Sequence, residues 1–387
     1  MVVFRSAKAW PLILYALICS VAQDARHQRQ TSAPVPEKVL LSETSMVQVP
    51  SLPAESIAAP VLCDPDGRIL FRLAMPDTGL EDPVSVSRDG KTVVRFGREK
   101  ITDIPQPILL DVFLRGSEVY ILARGSVPLG YETKWRKPDG EVVSQKASRN
   151  STFVAHFERD GRYASAVPLD VPFSPQHFGV FENGDFLIAG ADLSLGSSGE
   201  PRVAIVGSNG QLRRFVELNG DIHAQDDSEG GAKGKDPTAL PRVGNGVDFN
   251  KSLMGVVSGS RVAKDGSNLL LFRPLNGPVF SISPSGEAQV RRLKIKGDFN
   301  LFTITSTRGF WIVEYITDVP ANKPAEFRTY AFDPENGTPL REYLFPAALG
   351  FGLACTDGDE FTFVMANEVD NTLKLVKLAP SAAPKSE

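Results

Sequence analysis

The chain has 387 residues, of which 42% are hydrophobic and 23% charged, which is typical of a soluble globular protein with a large core. Its formal net charge of -4 provides no basic surface field for a phosphate backbone and argues against nucleic-acid binding. The 33 glycines and 29 prolines supply the turn residues that an all-β chain with many turns requires.

Residues 1–22 have the pattern of a secretory signal peptide. Two basic residues precede an apolar segment that covers 9–22, and small residues stand at Ser20 and Ala22, the positions that a signal peptidase reads. The apolar run is shorter than the roughly 20 residues of a membrane span. We therefore expect a secreted or periplasmic protein with no membrane span after cleavage. An uncleaved anchor is the alternative, and a lipoprotein modified at Cys19 is disfavoured because a bulky residue precedes it.

Residues 23–53 read as a polar linker that is punctuated by proline. Two short apolar runs inside it, at 38–41 and 46–49, have the composition of edge strands.

Glycine-containing turns then recur along 57–379. The clearest pair of hairpins covers 178–218, where Asn-Gly turns at Gly184 and Gly210 separate apolar runs. Most successive turns are about 20 to 28 residues apart, so a pair of hairpins repeats about every 45 residues, which is the period of propeller blades. The turn glycines are Gly67, Gly90, Gly116, Gly161, Gly184, Gly210, Gly266, Gly286, Gly309, Gly337 and Gly358.

This repeat predicts an all-β fold, a six-bladed β-propeller of four-stranded antiparallel blades that occupies 54–379 and is followed by a disordered tail at 380–387. The blades are expected at roughly 57–98, 107–170, 173–219, 255–296, 298–345 and 348–379. The second blade carries an extra hairpin near 138–140, and the last blade lacks one strand. Because an unpaired sheet edge is a liability, we expect a strand from 38–49 to complete the last blade and close the ring.

Cys63 and Cys355 each stand at the end of an innermost strand, just before a turn. They belong to the first and the last blade, which are neighbours only if the ring closes. An exported protein with two cysteines after signal cleavage is a candidate for a disulfide between them. Two buried free thiols are the alternative.

The segments Phe157–Tyr163 and Val180–Ala189 resemble the six-bladed propellers of exported bacterial proteins with NHL-type repeats. The resemblance covers about 57–379 and implies the propeller fold, which hosts binding scaffolds, lactonases and lyases alike. The metal-ligand pattern of the lactonase-like members has no residue-by-residue match here. Of the histidines that begin blades in the amidating-lyase-like members, only His177 has a counterpart.

Four residues are candidates for a ligand-binding site at a mouth of the central channel: His177, Asp111, Arg261 and Asn300. Charged residues on innermost strands that are otherwise apolar indicate a polar lining of the channel, with a structural ion pair as the alternative. The sequence has no phosphate-binding loop, nucleophile elbow or paired metal-binding histidines. We therefore expect a monomeric binding or scaffolding module for a protein, peptide or glycan ligand. An axial-site hydrolase or lyase is the alternative.

The long insertion between the third and fourth blades contains a weak candidate calcium site at Asp226, Asp227 and Glu229. Its spacing matches no EF-hand or nonapeptide calcium loop, so we expect a solvated surface loop and no bound cofactor.

Overall fold

The computed structural model describes residues 35–53, 57–74, 81–192, 200–218, 260–272, 278–295, 299–317, 327–345, 352–367 and 372–381. Strands dominate these ranges, with a short 3-10 helix at Arg98–Lys100. The predicted signal peptide, the calcium-loop candidate and most of the predicted tail lie outside the described residues. Within the described ranges, no helix is long and apolar enough to cross a membrane.

The strands of the described residues form six four-stranded units, and the glycine turns join successive strands inside these units, as the sequence predicts. The first unit contains β2 (Ile57–Cys63), β3 (Ile69–Ala74), β4 (Glu81–Val86) and β5 (Val93–Arg95), and the second contains β6 (Ile108–Arg115), β7 (Glu118–Arg136), β8 (Val142–Phe157) and β9 (Tyr163–Pro168). The third contains β10 (Ser174–Val180), β11 (Phe186–Asp192), β12 (Glu200–Val206) and β13 (Leu212–Phe215), and the fourth contains β14 (Arg261–Asp265), β15 (Asn268–Phe272), β16 (Val279–Ile282) and β17 (Ala288–Arg291). The fifth contains β18 (Phe299–Thr307), β19 (Phe310–Thr317), β20 (Phe327–Phe332) and β21 (Pro339–Leu344), and the last contains β22 (Leu353–Asp357), β23 (Glu360–Asn367), β24 (Thr372–Pro380) and β1 (Glu37–Pro53).

The first strands of the units contact one another in cyclic order: β2, β6, β10, β14, β18, β22 and again β2. Each unit is antiparallel and runs outward from its first strand. This is the ring of antiparallel sheets around a central channel that defines a propeller, as the repeat predicted. The number of blades in the whole chain stays a prediction, since 219–259 lies outside the described residues.

The strand β1 closes the ring. Over Glu37–Leu40 it pairs in parallel with β21, and from Leu41 onward it pairs antiparallel with β24, so it covers the outer edges of two neighbouring units. The closing strand predicted from 38–49 is confirmed, and the two predicted edge strands form one continuous strand. Because every outer backbone group of β24 would otherwise face solvent, this pairing removes an exposed edge.

The disulfide between Cys63 and Cys355 is confirmed, with Cα atoms 5.3 Å apart. It joins β2 to β22, the innermost strands of the first and last units. The pairing depends on ring closure, because the two cysteines are separated by 292 residues in sequence.

Apolar clusters lie between neighbouring units, so most sheets are buried on both faces. In β15, for example, the four consecutive residues 269–272 are each at most 2% exposed. A strand covered on both faces reads as a continuous apolar run rather than an alternating one. This explains why the propeller strands appear in the sequence as short hydrophobic blocks.

The extra hairpin expected near 138–140 is not a separate element. It is the end of β7 and β8, whose ladder continues outward through Glu132↔Lys146 to Arg136↔Val142. This projecting arm leaves the ring on the face where the innermost strands begin, since β6 starts opposite Arg124. We call this side the entry face. Two aromatic residues of the arm, Tyr131 and Trp135, are 58% and 46% exposed to solvent.

Candidate functional site

β-bulges occur near the start of the innermost strands. Register shifts interrupt β6 between Leu109 and Asp111 and β10 between Pro175 and His177, and the innermost strands of the first, fifth and last units carry similar shifts. A bulge bends its strand and re-aims the adjacent side chain. At the entry face it brings two of the predicted site residues toward each other.

The carboxylate of Asp111 is at the centre of this site. Its Oδ1 accepts the backbone N–H of Val112 at 2.9 Å, and its Oδ2 accepts the backbone N–H of Phe178 at 3.2 Å. The Nδ1 atom of His177 lies 3.4 Å from the same Oδ2 atom. Asp111 therefore ties the innermost strand of the second unit to that of the third and also orients the imidazole.

Arg261 begins β14 and lies in the same neighbourhood. Partial burial lowers the pKa of its guanidinium, the charge of Asp111 opposes this effect, and the nearby charge of Arg72 adds to it. Arg261, Asp111 and Thr303 line a small cavity of about 30 Å³, enough for roughly one water molecule. The structure thus brings together three of the four residues that the sequence indicated.

Arg72 is a member of the site that the sequence analysis missed. It lies on β3, a second strand, opposite Ala58, and its Nη2 donates a hydrogen bond to the Leu110 carbonyl at 3.4 Å. Only the packing of the first unit against the second places it near Asp111. No local pattern distinguishes it from an exposed arginine.

Asn300, the fourth predicted residue, belongs to β18 and pairs with Ile316, but its side chain lies outside the described residues. The calcium-loop candidates Asp226, Asp227 and Glu229 also lie outside them. In the ranges that the structure does describe, no three His, Cys, Asp or Glu side chains are grouped so that they could hold a metal ion.

Polar side chains join neighbouring units elsewhere at this face. This supports the alternative in which Asp111 has a structural role and does not bind a ligand. Arg124 on β7 donates to the Ser174 hydroxyl at 2.9 Å, at the start of the next innermost strand. Glu314 on β19 accepts the Leu353 N–H with both carboxylate oxygens, at 3.0 and 2.9 Å. Burial raises the pKa of Glu314 to about 8. These contacts fix the relative positions of the innermost strands.

On the opposite face, where the innermost strands end, the channel opens into a larger cavity of about 340 Å³. Its wall includes Cys63 of the disulfide, Phe113, Lys264 and Thr356. Lys264 forms an ion pair with Glu182 in a turn of the third unit. The volume suits a small ligand, and the charged residues of its lining are Asp64 and Lys264.

No family model matches the chain, and no curated protein sequence matches it. Among solved structures, the chain is similar to a virginiamycin B lyase from Staphylococcus aureus, with 12% identity, a TM-score of 0.39, and coverage of 87% of this chain and 99% of the lyase. It is similar to a streptogramin B lyase with 11% identity, a TM-score of 0.44, and coverage of 86% and 97%. It is also similar to YCF48 bound to D1 peptide, with 12% identity, a TM-score of 0.41, and coverage of 87% and 95%. Values this low support no inference about function, so the architecture rests on the strand pairing described above.

Proposed function

We propose that the protein is an exported binding module that receives an acidic group of a protein, peptide or glycan at the entry face of its channel. The observation that carries this proposal is the position of Arg261, which begins β14 at the entry face and lines a small cavity together with Asp111. A ligand carboxylate beside this guanidinium would add a favourable charge interaction.

The charge balance of the site favours an anion over a cation. Arg261 and Arg72 bring two positive charges near the carboxylate of Asp111. That carboxylate already accepts hydrogen bonds from two backbone N–H groups. Protonation of His177 would add a third positive charge. We infer that an anionic ligand is favoured over a cation at this mouth.

The projecting arm supports a macromolecular ligand rather than a small anion alone. It rises from the entry face and exposes Tyr131 and Trp135, residue types that supply contact area at interfaces. Export is supported by the signal-like pattern of 1–22 and by the disulfide, since disulfides persist in oxidising compartments.

The direct test compares two probes that differ only in charge, N-acetyl-dialanine and its C-terminal amide, in calorimetric titrations of the purified mature protein. We expect the carboxylate to bind and its affinity to fall with added salt, while the amide binds about tenfold more weakly. Arg261→Gln should remove the preference, and Arg261→Lys should retain part of it. Arg159→Gln is the matched control, because Arg159 is exposed and pairs with Asp66. Equal binding of the two probes would refute the proposal.

The pairing of His177 with Asp111 supports a second candidate, an axial-site hydrolase or lyase. A carboxylate at Nδ1 orients an imidazole so that Nε2 can act as a general base. A screen of esters and lactones tests this function, and His177→Gln should abolish any turnover while Arg159→Gln leaves it in place. Metal analysis of the same sample tests whether the 226–229 segment binds calcium. Turnover that survives His177→Gln would exclude this pair as the catalytic group.

A further inference from the structure

A second cavity at the entry face lies on the outer strands of the third unit, apart from the channel. Its volume is about 560 Å³, within the range of small-molecule sites. It is formed where β11 ends, where β12 begins and where β13 ends. The lining residues are Pro172, Phe173, Asp192, Pro201, Arg202, Val203, Phe215, Val216, Glu217 and Leu218.

The apolar part of this outer cavity contains two phenylalanines. Phe173 is 8% exposed, whereas Phe215, the last residue of β13, is 46% exposed, and their ring centroids lie 6.2 Å apart. Pro172 and Pro201 form part of the cavity wall and have no backbone N–H to donate. The cavity therefore offers an accessible aromatic surface.

The charged part favours a cation. Glu217 places a carboxylate in the lining, beside the guanidinium of Arg202. Arg202 is paired with Glu200 at 2.5 Å, so its charge is largely offset within the strand. Its guanidinium also lies 5.9 Å from the centroid of the Phe215 ring, which is within the range of a cation–π contact.

We propose that the outer cavity binds a flat organic cation attached to an apolar body, such as the guanidinium of an arginine side chain in a peptide. The aromatic surface of Phe215 would contact the apolar body and the delocalised charge, and the Glu217 carboxylate would accept the N–H groups of the cation. This site is independent of the proposed anion site at the channel, and the two have opposite charge preferences.

The test uses three probes of nearly identical shape: benzamidinium, benzamide and benzoate. Saturation-transfer NMR titrations of the mature protein should show benzamidinium binding with a Kd in the range of about 1 mM. We expect it to bind at least about threefold more tightly than benzamide, since cation–π and carboxylate contacts distinguish the two. Benzoate should bind most weakly.

Three variants locate the site. Glu217→Gln should remove most of the preference for benzamidinium over benzamide, and Phe215→Ala should lower the affinity for both probes. Phe310→Ala is the matched control, since Phe310 is 36% exposed on another unit and should leave both affinities unchanged. Far-UV circular dichroism confirms that each variant is folded. The proposal is wrong if benzamidinium fails to bind at about 10 mM, if benzoate binds equally well, or if Phe215→Ala and Glu217→Gln both behave as the wild type does.

Discussion

Replacing Glu314 by glutamine is expected to stabilise the protein at alkaline pH. Glu314 is fully buried on β19, and both carboxylate oxygens accept the Leu353 N–H of the neighbouring unit. Burial raises its pKa from 4.5 to about 8. The folded state therefore holds this proton over a pH range in which the unfolded state has lost it.

The sign and size of the effect follow from proton linkage. Between about pH 4.5 and pH 8 the native state binds one proton more than the unfolded state, so stability falls as pH rises through this range. At about 1.4 kcal/mol per pKa unit, the full loss is roughly 3 to 5 kcal/mol. Glutamine stays neutral and keeps an oxygen that can accept the Leu353 N–H, so the variant should not show this loss.

The assay is urea unfolding of the wild type and Glu314→Gln from about pH 5 to pH 9, followed by tryptophan fluorescence. We expect similar free energies of unfolding at the acidic end and a variant that is more stable by a few kcal/mol at the alkaline end. Glu335→Gln, at an exposed position in the same unit, reports the general effect of removing one carboxylate. Parallel pH curves for the wild type and Glu314→Gln would refute the reasoning.

Three further substitutions test the closure of the ring and its turns. Cys355→Ser should cost about 3 to 5 kcal/mol, because the disulfide closes a very long loop of the unfolded chain, and dithiothreitol should lower the urea midpoint of the wild type but not that of the variant. Leu41→Asp should lower the free energy of unfolding by several kcal/mol, because Leu41 is 1% exposed in the closing strand. Leu40→Asp, at a position that is 59% exposed, should have little effect. Equal shifts of the two melting temperatures would contradict this expectation. Gly210→Ala should lower the free energy of unfolding by at least about 1 to 2 kcal/mol more than Gly116→Ala does. Both glycines have positive φ, but a Cβ at Gly210 would lie 1.9 Å from the Pro168 carbonyl oxygen, whereas a Cβ at Gly116 has nothing within 4 Å. Equal urea midpoints of the two variants would contradict this.

Much of the fold could be predicted because its signals are local. A turn such as the one at Gly184 needs positive φ, which glycine adopts at low cost, and the apolar blocks on either side can form only a hairpin. Repetition of this unit predicted the ring, and the missing strand of the last blade predicted that the N-terminal segment closes it. The disulfide followed from the same argument, since Cys63 and Cys355 occupy equivalent positions in units that closure makes neighbours.

The candidate sites could be predicted only in part. Asp111, His177 and Arg261 were indicated because charged side chains are unusual on innermost strands, but Arg72 reaches them from a different strand of another unit. The extra hairpin near 138–140 was predicted, but the sequence does not show that it is the continuation of β7 and β8 past the ring. The outer cavity at Phe215 gave no signal at all, because its walls come from the ends of separate strands that only the folded unit brings together.

The sequence by itself determined the hairpins, their period and the need for closure, because turn conformations and the burial of neighbouring apolar residues depend on a few adjacent positions. Only the tertiary structure decided which side chains meet at the channel mouth, which carboxylate is buried between units and where cavities open. Those outcomes depend on bulges and on packing between units that are far apart in the chain, and a short stretch of sequence does not specify either.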